Sequence, residues 1–294
     1  PVGRGKEIAM PPVKKVALEA GIPVFQPQRL RGDAEAYQAL RELAPDCIVV
    51  VAYGQILPEE ILNLPPYRCI NVHASLLPRY RGAAPIQWSI LNGDAETGVT
   101  TMLMEKGLDT GPMLLKEKTP IGPEETADVL SRRLSEIGAD LLVRTLPRWF
   151  AGEIEPAVQN DAEATYASML KKEMAVLDWS QSAPTLHNRV RGLYPWPGTT
   201  TTLDEQIVKI LKATVSDRQT AGEAPGTLLG LSEEGWDVAC GSGVLRVQQV
   251  QIPGKKPQSA SEAARGLRTL AVGSRLGSVA TAGAPESSDT KVHN

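Results

Sequence analysis

Cys47-Ile-Val-Val-Val-Ala-Tyr53, bounded by Pro45-Asp46 before it and Gly54 after it, is a continuous apolar run rich in β-branched residues. A strand with no polar alternation predicts burial on both faces, the habit of parallel sheets covered by helices. The flanking text fits that reading. Residues 12–21 read as a short helix closed by Gly21, residues 23–25 as a short strand, and residues 34–43 as a helix capped by Asp33. Downstream come a brief helix at 58–64, a strand at 69–75 and a helix at 85–92 stopped by Gly93. Strands at 97–104 and 112–119 flank Gly107-Leu-Asp-Thr-Gly111, and Thr126 caps a long helix to about Phe150. This order predicts an α/β fold, an open and mostly parallel sheet with helices on both faces.

The texture changes near residue 150. Residues 151–170 are polar and poorly periodic, as expected of a linker. From 171 to 276 short apolar runs recur between Gly, Pro and Asp, predicting a small β-barrel with one helix at 184–190. Residues 277–294 are rich in Gly, Ala, Ser and Thr and read as a disordered tail. The chain of 294 residues thus divides into a domain at 1–150, a linker, and a second domain at 171–276. A monomer is expected.

Composition bounds the function. The net charge of −3 argues against a general polyanion binder, but Lys and Arg outnumber Asp and Glu over 171–276, which permits nucleic-acid contact there. Cys47, Cys69 and Cys240 are scattered, with neither disulfide nor metal-ligand spacing, so no metal is expected. No apolar run approaches the roughly 20 residues that cross a bilayer, so no membrane span is expected. The chain starts at Pro1 rather than methionine, without a secretory segment, and reads as lacking its start. The cytoplasm is the expected compartment, with an organellar matrix or stroma left open.

The densest chemistry lies in Cys69-Ile-Asn-Val-His-Ala-Ser-Leu-Leu-Pro-Arg-Tyr-Arg-Gly82. Ile70, Val72 and Ala74 alternate with Asn71, His73 and Ser75, so three polar side chains share one face of a strand end. Polar groups at such a place need partners or a ligand. Asn71 can donate through its amide, His73 can donate or carry a proton, and Asp109 of the Gly-Leu-Asp-Thr-Gly turn can hold the imidazole. Two such donors suit an oxyanion forming on a tetrahedral carbon. With no evident Ser or Cys nucleophile–base pair, direct acyl transfer to an external amine fits better than a covalent intermediate. The plainer alternatives are a satisfied core histidine at His73 and a simple turn former at Asp109. Arg79 and Arg81 read as solvated loop charges, and His187 as structural.

The same motifs resemble the signature of the folate-dependent formyltransferases. Val50-Val-Ala-Tyr-Gly-Gln-Ile-Leu-Pro58, Arg81-Gly-Ala-Ala-Pro-Ile-Gln87, Gly93-Asp-Ala-Glu-Thr-Gly-Val99 and Pro195-Trp-Pro197 look like the branch of that family acting on methionyl-tRNA. The resemblance implies a Rossmann-like formyltransferase fold followed by an OB-like β-barrel that binds tRNA. It implies N10-formyltetrahydrofolate as co-substrate and initiator methionyl-tRNA as partner, in translation initiation. Asn71, His73 and Asp109 match the family's catalytic residues, and Ser75, Leu76, Leu77 and Pro78 its folate-contacting loop. Arg4 and Lys6 of Gly3-Arg-Gly-Lys6 match a basic loop that enters the tRNA acceptor groove, while Lys255 and Lys256 of the barrel are further tRNA candidates, or merely solvated lysines. The family's first strand, helix and second strand have no counterpart here, a loss on the order of 30 residues. Rival readings are a formyltransferase with a small acceptor, a formyl-folate hydrolase, or an inactive truncated copy that only binds folate or tRNA.

Overall fold

The computed structural model describes residues 10–203, 205–267 and 269–277. Two helices, α1 (Pro12–Glu19) and α2 (Ala34–Leu43), precede the first sheet. Asp33 caps α2 by accepting from Ala36 N at 2.9 Å. The sheet runs β1 (Ile48–Val50), β2 (Cys69–His73), β4 (Glu96–Leu103) and β5 (Met113–Pro120) in that spatial order. Helix α3 (Glu59–Leu62) joins β1 to β2, and α4 (Pro85–Leu91) precedes β4. The α/β class is as expected, but the sheet is mixed rather than mostly parallel. Only β1 and β2 pair in parallel, and β2–β4 and β4–β5 are antiparallel. For β4–β5 the cause is local: the connection is a hairpin with Gly107-Leu-Asp-Thr-Gly111 in its loop, and a hairpin forces antiparallel pairing. The expected strand at 23–25 does not form.

Helices cover the two faces unequally. Helix α5 (Ala127–Phe150) buries Leu130, Leu134 and Leu141, one stripe at helical spacing, against Val99 and the half-buried Val72. On the opposite face Leu30, Leu57, Ile61, Leu62 and Cys69 pack with the half-buried Tyr37, Leu40, Ile48 and Val50. Double-sided burial fails at β1. Val49 is 38% and Val51 60% exposed, because α5 packs on β2, β4 and β5 and stops short of β1.

The expected linker is ordered. After one 3-10 turn at Asp161–Glu163, residues 165–167 return to the first domain, where β6 (Tyr166–Ala167) pairs in parallel with β3 (Arg81–Gly82). The second domain starts with α6 (Ala183–Gly192) and continues as a sheet of β7 (Thr199–Leu203), β8 (Gln206–Ser216), β11 (Val244–Gln251), β10 (Gly235–Ala239) and β9 (Leu228–Ser232). Strand β12 (Gln258–Ser259) adds to β11 and leads into α7 (Ala260–Gly266). Alternate inward residues, among them Val208, Ile210, Leu245, Val247 and Trp236, fill one core. The Trp236 indole donates to Ala260 O at 2.7 Å, so its polar atom is satisfied inside. Residues 274–277 bridge the two sheet edges: Gly277 pairs with Thr202 of β7 and Arg275 with Thr227 just before β9. Gly277 therefore belongs to the barrel, whereas the rest of the expected tail, 278–294, lies outside the described residues.

Candidate active site

Strand β2 builds the site. Cys69, Asn71 and His73 alternate onto the face that carries α2 and α3, while Ile70 and Val72 pack toward α5. Beyond Cys69 that face opens into a cleft to which Asn71, His73, Gly82 and Asp109 all contribute, part of a cavity of about 1860 Å³ that also runs along α5 past Leu134 and Gly138. The β4 end points away from the His73 end, because Ile70 pairs with Leu103 and His73 with Thr100. The loop after β4 therefore folds back over the sheet face to bring Asp109 to Asn71. Gly111 permits this fold, since a Cβ there would lie 1.8 Å from Leu103 O.

Asp109 adopts φ 52°, a left-handed conformation uncommon for a residue with a side chain. Its carboxylate is fixed at both oxygens. Gly82 N donates to Oδ2 at 2.8 Å, and Asn71 Nδ2 approaches Oδ1 at 3.5 Å. His73 Nδ1 lies 3.7 Å from Oδ2, close enough for an ion pair but too long for a hydrogen bond. His73 Nε2 donates to Tyr80 O at 2.9 Å. A carbonyl only accepts, so Nε2 carries hydrogen, and any second proton stands on Nδ1 beside the carboxylate. The amide, the imidazole and the carboxylate expected together are together.

The other expected residues divide. Ser75 and Leu77 are buried at 0% and 1%, and residues 75–78 do not line the cleft. They hold the turn after β2. Ser75 Oγ donates to Arg79 O, Leu77 N to Thr100 Oγ1, and Lys116 Nζ to Leu77 O, while Leu76 packs over Gly98. Burial pushes the Lys116 ammonium below its ordinary range. The cleft walls come from Ala52–Leu57 and Glu105–Asp109 instead. The first of these was legible as Gly54-Gln-Ile-Leu-Pro58, a glycine-bearing loop after an apolar strand.

Arg81 corrects the sequence reading. It is 2% exposed rather than solvated, with Nε donating to Gln159 Oε1 at 3.0 Å and a terminal nitrogen to Asp161 Oδ1 at 2.8 Å. Arg79 stays half exposed and pairs with Asp94 at 2.9 Å. Lys255 and Lys256 are exposed in the β11–β12 turn, far in sequence from the cleft. Arg4 and Lys6 lie outside the described residues. Among the described residues no cluster of His, Cys, Asp or Glu could hold a metal, and no helix is long and apolar enough to cross a membrane.

Residues 1–146 match a family model described as formyl transferase, and residues 169–268 match formyl transferase, C-terminal domain. The chain belongs to the formyl transferase family. A methionyl-tRNA formyltransferase of Clostridium novyi is 51% identical over 90% of this chain and 86% of its own length. One of Geotalea daltonii is 50% identical over 94% of this chain and 87% of its own. Among solved structures, a sugar 3N-formyl transferase, WlaRD, superposes with a TM-score of 0.61 at 18% identity, covering 83% of this chain and 82% of that one. At that identity it bears on the fold alone. Family membership accounts for both domains, since the two matched regions are the α/β unit holding the cleft and the barrel that follows.

Proposed function

We propose that this family member transfers the formyl group of N10-formyltetrahydrofolate to the α-amine of methionyl initiator tRNA, the step that prepares it for translation initiation. The observation carrying this reading is the meeting of Asn71, His73 and Asp109 in one cleft of a chain about half identical, over nine-tenths of its length, to methionyl-tRNA formyltransferases.

The chemistry follows from what each group can do. The methionyl amine must lose its proton to attack, and a free α-amine titrates at about 7.7–8.0, so a carboxylate such as Asp109, directly or through water, is a sufficient acceptor. Nitrogen attacks the formyl carbon and the carbonyl electrons move onto oxygen. The Asn71 amide has an N–H to spare for that oxyanion. The attached amine nitrogen then gives up its second proton to the Asp109 carboxylate or to water, and as the tetrahedral carbon collapses the bond to N10 breaks and N10 needs a proton. His73 Nδ1, beside Asp109, is the site from which a proton passes to it. No covalent enzyme intermediate is required. The folate fits the cleft between residues 52–57 and 105–109, where backbone groups and the apolar Tyr53, Ile56 and Leu108 offer hydrogen bonds and a surface for a flat ring. Ser75, Leu76, Leu77 and Pro78, matched to the family's folate-contacting loop, form the turn after β2 and are the folate contacts on that side.

The barrel supplies the surface for tRNA, with Lys255 and Lys256 as phosphate contacts and Arg4 and Lys6 at the acceptor end. The protein acts as a monomer in the cytoplasm. A small-acceptor formyltransferase is the rival. The two are separated by presenting N10-formyltetrahydrofolate with charged initiator tRNA, with an amino-sugar nucleotide, or with water alone. Formylation of the tRNA at least a hundred-fold faster than of the sugar supports the proposal. Preference for the sugar, bare hydrolysis, or binding without transfer would sink it.

A further inference from the structure

The segment joining the two domains reaches into the site described above. Gln159 is 6% exposed, although its neighbours Val158 and Asn160 are open to solvent. Its amide nitrogen donates to Asp109 O at 2.7 Å and to Gly111 O at 2.8 Å. Its amide oxygen accepts from Arg81 Nε, and Arg81 is anchored in turn by Asp161. Both amide hydrogens are thus committed to the loop that carries the carboxylate, and the amide cannot be flipped without facing Arg81 with a donor. The residue after Arg81, Gly82, holds the Asp109 carboxylate through its N–H. One buried cluster therefore fixes Asp109 at its backbone carbonyl and at its side chain. That matters because the left-handed conformation of Asp109 persists only where the surroundings over-determine it.

We infer that Gln159 is a positioning residue for the formyl-transfer reaction, acting through Asp109, with Arg81 setting the orientation of its amide. The inference rests on the role proposed for Asp109. It gives the interdomain segment a part in the chemistry beyond joining the domains. Loss of the amide leaves two carbonyls of the 109–111 loop without donors and lets the carboxylate drift from Asn71 and His73. A displacement near 1 Å costs about a hundred-fold in rate.

A double-mutant cycle tests it, using Gln159→Met to keep the volume and remove the donors. In the parent background, Gln159→Met lowers kcat for methionyl-tRNA formylation about ten- to hundred-fold, with both KM values within about two-fold. In the Asp109→Asn background the same change lowers the rate less than about two-fold, because the group it positions is already disabled. A merely structural role would lower the rate equally in both backgrounds, and that result overturns the inference, as does a Gln159→Met enzyme at the parent kcat. If Gln159→Met gives no cooperative melt, Gln159→Asn, which keeps the amide on a shorter stem, goes through the same cycle under the same criteria. An Asp109→Asn enzyme at the parent rate overturns the role of Asp109 together with this inference. Loss in Asp109→Asn combined with equal losses from Gln159→Met overturns this inference alone.

Discussion

Replacing Gly82 by alanine strikes the fold and the site at once. Gly82 adopts φ 122°, and a Cβ there would lie 2.6 Å from Ala167 O. An ordinary Cβ–oxygen contact is about 3.4 Å, so β3 and β6 must part by several tenths of an ångström or Gly82 must rotate. Moving apart stretches the flanking bonds Arg81 N to Thr165 O and Ala83 N to Ala167 O, both 2.9 Å. Rotating relieves the clash but turns the N–H away from Asp109. Left-handed backbone costs about 1–2 kcal/mol for a residue with a Cβ. Weakening two backbone hydrogen bonds adds about 1–2 kcal/mol. The sum of about 2–4 kcal/mol corresponds to a Tm lower by about 5–15 °C for a domain of about 150 residues such as the first one. Loss of a hydrogen bond to the charged carboxylate, about 1.5–3 kcal/mol, becomes a kcat lower by about ten- to hundred-fold. Thermal melting by circular dichroism and single-turnover formyl transfer measure the two effects separately. A Gly82→Ala enzyme melting within about 1 °C of the parent, with kcat within two-fold, would show that neither the close approach to Ala167 nor the Gly82 N–H matters.

The remaining predictions concern the domain interface and tRNA. His187 of α6 faces Glu124 at 3.4 Å and the Arg191 guanidinium, and burial holds its imidazole below the ordinary range despite Glu124. Its folded form thus prefers to be neutral, so nothing is lost above the unfolded value near 6.5, and stability falls as pH drops below it through the folded value. Urea denaturation should show the parent losing stability more steeply than His187→Gln between pH 7 and pH 5, and parallel curves would contradict this. Replacing Lys255 and Lys256 together by glutamine should raise KM for methionyl-tRNA several-fold and lower its salt dependence by up to about two phosphate contacts. KM for the folate should not change, and an unchanged salt slope would remove these lysines from the tRNA surface.

How much was legible in the sequence differs between the strand and its surroundings. The alternation of Asn71 and His73 with Ile70 and Val72 told faces apart, because a strand has a period of two whatever its neighbours do. The mixed sheet was not visible, since strand direction depends on whether the next connection is a hairpin or a crossover, and Gly107–Gly111 could serve either. Burial of β1 was over-read, because an apolar run reports what a strand can tolerate and not which helix reaches it. Arg81 read as a solvated loop charge, and Gln159 stood without a reading of its own in the polar stretch 151–170. Their burial depends on each satisfying the other across 78 positions, a pairing no local pattern encodes. Ser75 to Pro78 were read as a ligand contact on their motif, and the bonds that the Ser75 hydroxyl and the Leu77 backbone make inside the turn could not be read from it.

The most direct test of the account is the rate of formyl transfer from N10-formyltetrahydrofolate to methionyl initiator tRNA in a single turnover, measured for this chain and for Asp109→Asn. That substitution keeps the shape and removes the proton acceptor beside His73. The parent should formylate the tRNA, and Asp109→Asn, folded to the same Tm and binding folate equally well, should lose about a thousand-fold or more. A folded Asp109→Asn enzyme working within ten-fold of the parent would contradict it.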